Sequence, residues 1–355
     1  MKMTTSRIAE LAGVSRGAVD KTIHNRPGVR EDVRQKILQV IAETGYVPLS
    51  VRKAGTQTKK SYRVAVILPP LTNPYFKALK RYIDEIVFMS NLSTVCFFCG
   101  PTDSRRMLSL LKQLREQNFD GYLLRGMRSG SIREELEAIN KPIIFFECDI
   151  PDVNRLCLVG EDCVKTGRLA ASLLAKSVDY HGEVSVITGS VEIPSHQQRL
   201  MGFLDVMRTE YPEIRIVRQI YSLDQPAVAY QQTSRVLEDC PHLAGICNLA
   251  GCNGEIGHAI LESRKKDSVR LVCFSTTSDV ITLIQKKIVT FSINLQPREQ
   301  ARMMFETMYA YLTLGKKPSS GFLKTPVTIA LDENIDSLLD DFGQAGEDAE
   351  QFSDF

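Results

Sequence analysis

The sequence predicts two kinds of structure in one chain: a small all-α head of helix-turn-helix form, and an α/β body of two doubly wound parallel-sheet lobes. Three observations predict it. A chain of 355 residues exceeds what one ordinary core fills. Charge is unevenly placed: the formal net charge is +2, yet the first sixty residues carry twelve Lys/Arg against five Asp/Glu, leaving +7 there and −5 on the remainder. Beyond residue 61 the hydrophobic pattern switches from helical spacing to a regular strand–helix alternation.

In the head, Ile8, Ala9, Leu11 and Ala12 give the apolar stripe of a first helix. Ala12-Gly13-Val14-Ser15 turns, and Ser15 caps a second helix running to about His24. Asn25-Arg26-Pro27-Gly28 is loop chemistry. A third helix over Glu31–Thr44 spaces Val33, Ile37, Val40 and Ile41 and stops at Gly45. Residues 1–47 therefore form the head. Residues 48–61, rich in Lys, Thr and Gln, read as a hinge or linker.

The body starts with the buried-strand run Arg63–Leu68, then a helix over Tyr75–Met89 and a strand over Thr94–Cys99. Further strands follow at Gly121–Leu124, Pro142–Phe146, Val184–Thr188, Ile214–Ile220, Gly245–Asn248 and Val269–Phe274, with helices between them. Alternation of this kind implies parallel sheets covered by helices. So many units in one sheet would be unusual, so two lobes are expected, with ligand sites beyond the C-terminal strand ends. The acidic segment 336–355, with no Lys or Arg after Lys324, is expected to be disordered.

Several function classes are disfavoured. The first ten residues lack an apolar stretch, and no run approaches the roughly 20 residues a bilayer requires, so a cytoplasmic location without membrane contact is expected. Nine scattered cysteines fit a reducing compartment; Cys96 and Cys99 lie three apart on a strand and should point to opposite faces. The loop after the first body strand, Leu68–Pro74, has no glycine to cradle a phosphate, and no G-x-S-x-G occurs. The five histidines show no metal spacing. No catalytic residue, metal or cofactor is expected.

A helix, a tight glycine-containing turn and a second helix let one helix enter a DNA major groove while the other braces it. Ser15, Arg16, Gly17, Ala18, Lys21 and Thr22 are the expected exposed positions of the second helix. Arg16 and Lys21 can donate to guanine edges, and Ala18 or Thr22 can touch a thymine methyl. Ser15, Asn25 and Arg26 suit phosphate contacts that fix register. In the body, Asn73, Tyr75 and Phe76 follow the first strand and offer an amide and two rings, a pairing suited to a sugar. Arg199, beyond the strand Val184–Thr188, can fork two hydroxyls or a carboxylate.

The run Arg7–Asp20, the loop His24–Val29 and the ending Glu43-Thr44-Gly45-Tyr46-Val47-Pro48 resemble the heads of LacI/GalR-type regulators, and the resemblance extends over nearly the whole chain. It implies a homodimer on a pseudopalindromic operator, with Arg16, Gly17, Ala18 and Lys21 facing bases. It also implies an effector domain over 62–335 of periplasmic-binding-protein type I form. The lobes would comprise about 62–157 with 294–318, and 158–293 with 319–335. By the same resemblance Asn73, Tyr75, Phe76, Arg199 and Gln296 match ligand-contact positions, with Asn248 and Asn253 near another polar one. Five positions depart from the family pattern: Asp20 replaces a usual Ser, and Gly55 replaces the Leu that wedges the minor groove. Glu147-Cys148 stands where Asp-Arg is common, and Ser275 replaces a usual Asp. Those last two changes imply an altered ligand, such as a modified or phosphorylated sugar or a cyclitol.

The expected function is a sequence-specific DNA-binding transcriptional regulator, a repressor, whose operator affinity is controlled by a small sugar-like effector between the lobes. The alternatives are a sugar-binding protein of the periplasmic type and an α/β enzyme without a DNA role. The acidic tail has no leucine heptad, which favours a dimer over a tetramer.

Overall fold

In the computed structural model the described residues are 5–23, 28–30, 32–34, 36–37, 40, 61–88, 92–150 and 152–336. All of the expected linker except Ser61, Gly55 included, and the acidic tail beyond 336 lie outside them, as do Asn25 and Arg26. Head and body divide between residues 61 and 62 as separate compact units.

The head begins with α1 (Thr5–Ala12) and α2 (Arg16–Ile23), and residues 32–34, 36–37 and 40 are helical as well. Gly13 makes the turn with φ +65°, a left-handed conformation that glycine adopts without steric cost. Ser15 Oγ accepts the Ala18 N–H at 3.1 Å, capping α2. Ile8, Ala9, Ala12, Val19 and Ile37 form the small core, flanked by Ala18, Val33 and Val40. Leu11 is 44% exposed, against expectation. At 3.6 residues per turn it stands about 100° from the centre of the stripe that Ile8, Ala9 and Ala12 define.

Thr22 also departs from expectation. It follows Val19 by three residues, which puts it on the same face, and it is buried with its Oγ1 lacking a partner among the described residues. Thr22→Val should therefore stabilise the head by about 1 kcal/mol, since it removes an unsatisfied buried hydroxyl at equal volume. Thermal melting of the two forms measures this. A lower melting temperature for the variant would mean that the hydroxyl has a partner.

The body runs β1 (Tyr62–Leu68), α3 (Pro74–Phe88), β2 (Leu92–Phe98), α4 (Ser104–Arg115), β3 (Gly121–Arg125), α5 (Gly130–Ala138), β4 (Ile143–Phe146) and β5 (Cys157–Gly160). It continues with α6 (Cys163–Ser177), β6 (Gly182–Thr188), α7 (Pro194–Thr209), β7 (Ile214–Tyr221), α8 (Pro226–Asp239), β8 (Leu243–Asn248), α9 (Asn253–Glu262) and β9 (Arg270–Phe274). Last come α10 (Ser278–Gln285), β10 (Val289–Asn294), α11 (Pro297–Leu314), β11 (Phe322–Lys324) and β12 (Thr328–Ala330).

These strands make two six-stranded sheets, ordered β11-β5-β4-β3-β1-β2 and β12-β10-β9-β8-β6-β7. All neighbours are parallel except β12, which runs antiparallel to β10. β3 and β4 are buried throughout, the continuous apolar run expected of strands covered on both faces. Separate apolar clusters cover the two faces of each sheet. Cys96 joins one cluster and Cys99 the other on the first sheet, so the two thiols do point to opposite faces. Among the described residues no helix is long and apolar enough to cross a membrane.

The chain passes between the sheets three times: from β5 to α6, from β10 to α11, and from β11 to β12. Here the expected lobe boundaries need correction. Phe322–Lys324 pairs with Leu158–Gly160, so both segments belong to the first sheet rather than the second. Helix α11 also returns to the first lobe, where Ala301, Met304, Phe305 and Met308 pack with Leu79 and Ile83 of α3. Two lobes joined by three short strands of chain can open and close about those crossings.

Candidate nucleic-acid face and ligand cleft

On α2, Arg16, Gly17 and Lys21 are exposed, as is Ser15, while Ala18 is half-buried against the head core. Only Thr22 among the described candidates is turned inward. The exposed set presents two cations and a capped helix N-terminus on one short segment, a combination suited to phosphates and base edges.

In the body, the C-terminal strand ends of both sheets face a shared cleft of about 480 Å³. That lies within the range of small-molecule sites. Asn73, Tyr75, Phe76, Glu147, Arg199 and Ser275 all line it. Asn248 and Gln296 do not. Asn248 is fully buried, and its amide donates to the Ala250 and Gly251 carbonyls and to Asn253 Oδ1, shaping the loop that forms one wall. Gln296 sits at the second crossing with φ 52° and donates to Thr328 Oγ1 at 3.4 Å.

Strained backbone gathers at the same strand ends. Glu147, Asp224, Cys252 and Ser275 all have positive φ and all line the cleft. A non-glycine residue held in this region costs of order 1 kcal/mol or more, and such residues concentrate at ligand clamps.

Each wall has a defined hydrogen-bond pattern. Asn73 Oδ1 accepts the Tyr75 N–H at the start of α3, leaving its amide nitrogen on the cleft side near Gly251. The Tyr75 hydroxyl donates to Gln300 Oε1 at 2.7 Å, and Gln300 Nε2 donates to the Val159 carbonyl, tying α3, α11 and β5 together. Burial, and next Glu147, hold the Tyr75 hydroxyl well above its usual pKa, so it remains a donor.

Arg199 is used differently from the sequence-based expectation. Its Nε and Nη2 donate to Glu161 Oε1, its Nη1 donates to the Leu249 carbonyl, and the guanidinium lies 4.5 Å over the Phe274 ring. Most of its fork is thus committed to a buried ion pair that builds the cleft wall. Arg125, which the sequence reading missed, donates from Nε to Glu147 Oε2 at 2.7 Å. It supplies from the end of β3 a guanidinium that Cys148 does not provide at the end of β4. Glu147 Oε1 in turn accepts from Ser195 Oγ at 3.2 Å, a link between the two lobes.

The far wall holds His196, Asp224, Glu255 and Asp279. His196 Nδ1 accepts the Ser190 N–H at 3.1 Å, which leaves the proton on Nε2. Burial, then Arg199 and Arg125, push its pKa well down, so the ring is neutral near pH 7. Burial raises the Asp224 carboxyl, while the Gly251 N–H at 3.1 Å opposes that rise.

Residues 64–317 match the family described as periplasmic binding protein domain, and residues 4–49 match the bacterial regulatory proteins of the lacI family. Catabolite control protein A of Streptococcus mutans is 27% identical over 213 residues, 58% of this chain and 61% of that protein. The ribose operon repressor of Haemophilus influenzae is 23% identical over 205 residues, 58% of this chain and 60% of that protein. The chain thus spans about three fifths of the length of these curated relatives. Among solved structures, GanP, a glucose-galactose binding protein from Geobacillus stearothermophilus, superposes with a TM-score of 0.71 at 19% identity, covering 78% of this chain and 99% of that one. A solute-binding protein from Burkholderia graminis in complex with D-arabinose gives 0.73 at 18% identity, covering 79% and 99%. At these identities the structural likeness is one of fold. This chain belongs to the periplasmic-binding-protein domain family and carries, at its N-terminus, the helix-turn-helix head of the lacI family of bacterial regulators.

Proposed function

We propose that the protein is a sequence-specific DNA-binding transcriptional regulator of repressor type, without catalytic activity, controlled by a small sugar-like effector. The observation that carries this reading is the presence, on one chain, of an exposed basic α2 and a two-lobed cleft of monosaccharide size. The names of the relatives support it, since two are a catabolite control protein and a ribose operon repressor. The effector lies between Asn73 and Tyr75 on one wall and the loop at Gly251 on the other, and its binding favours closed lobes. Operator affinity changes by the difference in effector binding between the two states.

The working form is a homodimer in the cytoplasm. The edge strand of each sheet leaves large apolar side chains in solvent, Val95 and Phe98 on β2, Tyr221 at the end of β7 and Leu223 just beyond it. Exposed apolar edges of this kind suit a self-complementary contact. A two-fold dimer then reads two half-sites of a pseudopalindrome.

Selection from a genomic library followed by gel-shift titration tests the proposal. The protein should prefer one class of duplex over random DNA, and log K should fall linearly with log salt. Arg16→Ala should weaken operator binding by about 1–3 kcal/mol and relax the preference at one base position. Equal affinity for selected and random duplex, with and without sugars, would remove the proposal.

A further inference from the structure

The charge lining the cleft is lopsided. Arg125 and Arg199 each face a carboxylate, Glu147 and Glu161, so these four residues neutralise one another. Asp224, Glu255 and Asp279 remain on the wall formed by the second lobe. Among the described residues none of the three pairs with a lysine or arginine, and the side chain facing Asp224 is the neutral His196, with Nε2 3.8 Å from Oδ2. The formal charge of the lining is therefore −3. All three carboxylates press on Cys252, whose thiol is pushed up to about 12, first by burial and then by Glu255, Asp224 and Asp279.

Glu255 and Asp279 stand in the first turns of α9 and α10, where an acid favours the helix end. That accounts for their presence but not for two further features of the lining. Asp279 Oδ1 is buried without a hydrogen-bond partner among the described residues, and so is Glu161 Oε2, on a side chain only 5% exposed. Both residues face the cavity. A carboxylate only accepts hydrogen bonds, and an ammonium only donates them.

From this arrangement we infer that the effector is an amino-polyol, carrying a protonated nitrogen beside its hydroxyls. The inference rests on the proposed reading of the cleft as an effector site and narrows its ligand. Hydroxyls engage Asn73 and the neutral Arg–carboxylate pairs, while the ammonium lies against Asp279 and Glu255. A phosphorylated sugar, one of the ligands raised by the sequence, would bring two more negative charges into an already negative cavity.

Calorimetric titration of the full-length protein with matched compounds tests this. One set is D-glucose, D-glucosamine, N-acetyl-D-glucosamine and D-glucose 6-phosphate, with equivalent sets on a pentose and a cyclitol. In the set whose skeleton fits, the amine should bind at least tenfold more tightly than the other three. In Asp279→Asn the ratio of amine to neutral affinity should fall towards one, with the melting temperature reporting that the variant is folded. A neutral, acetylated or phosphorylated member binding as tightly as the amine overturns the inference while the effector reading stands. So does an Asp279→Asn variant that weakens amine and neutral compound by the same factor. Absence of binding by every member of every set overturns both.

Discussion

Replacing Arg199 with methionine is expected to destabilise the body by about 3–5 kcal/mol. The cause is the carboxylate left behind. Arg199 and Glu161 are 5% and 8% exposed, and Glu161 Oε1 receives both Nε and Nη2 of the guanidinium. The second oxygen of Glu161 already has no partner among the described residues. Without Arg199, a buried negative charge would have neither a counter-ion nor a donor. The Leu249 carbonyl would lose the Nη1 hydrogen bond, and the Phe274 ring would lose the cation above it. Urea denaturation followed by circular dichroism should show the midpoint displaced with little change in slope. The double variant Arg199→Met with Glu161→Leu should recover much of the loss, because the loss comes from breaking the pair rather than from its net worth. A single variant as stable as the parent would show that water reaches Glu161 and that the wall is not a closed ion pair.

The same residue illustrates what the sequence could and could not reveal. Asn73, Tyr75, Phe76 and Arg199 are legible because each follows a recognisable strand, and the strand-end rule for open α/β sheets points at them, whereas Glu147 and Ser275 come from the family resemblance. That rule gives location, not partners. Glu161 stands after β5, a strand of four residues too short for periodicity to mark, so the acid that occupies Arg199 is not legible in the sequence. Arg125 ends β3, a position to which the same strand-end rule points. Gln300 lies in α11, beyond the last strand legible in the sequence, and β11 and β12 are three residues each. Asn248 failed for the opposite reason. It is the last residue of β8, and its amide turns back to hold the following loop rather than outward. Fold class follows from local pattern, whereas hydrogen-bond allegiance depends on contacts between segments far apart in the chain.

A second large effect is expected from one methyl group. Helices α6 and α7 touch backbone to backbone: a Cβ at Gly202 would stand 2.1 Å from the Val164 carbonyl oxygen, and one at Gly167 would stand 2.0 Å from that of Arg199. Neither obstacle is a flexible side chain that can swing aside. Gly202→Ala must therefore push the helices apart, at an expected cost of about 1–3 kcal/mol for overpacking. The displacement also acts on the cleft. Helix α7 carries Ser195, His196 and Arg199 in its first two turns, and α6 begins directly after Glu161 and its capping residue Asp162. Separating the helices draws Arg199 away from Glu161 and Ser195 away from Glu147. The effects of Gly202→Ala and Arg199→Met should accordingly fall short of additivity, since both disrupt one junction. Met201→Ala is the control: it is the neighbouring position on α7, 57% exposed, and its removal should leave the melting temperature within a degree or two of the parent. Should Gly202→Ala melt with the parent and add fully to Arg199→Met, the close crossing of α6 and α7 is not what holds the arginine in place.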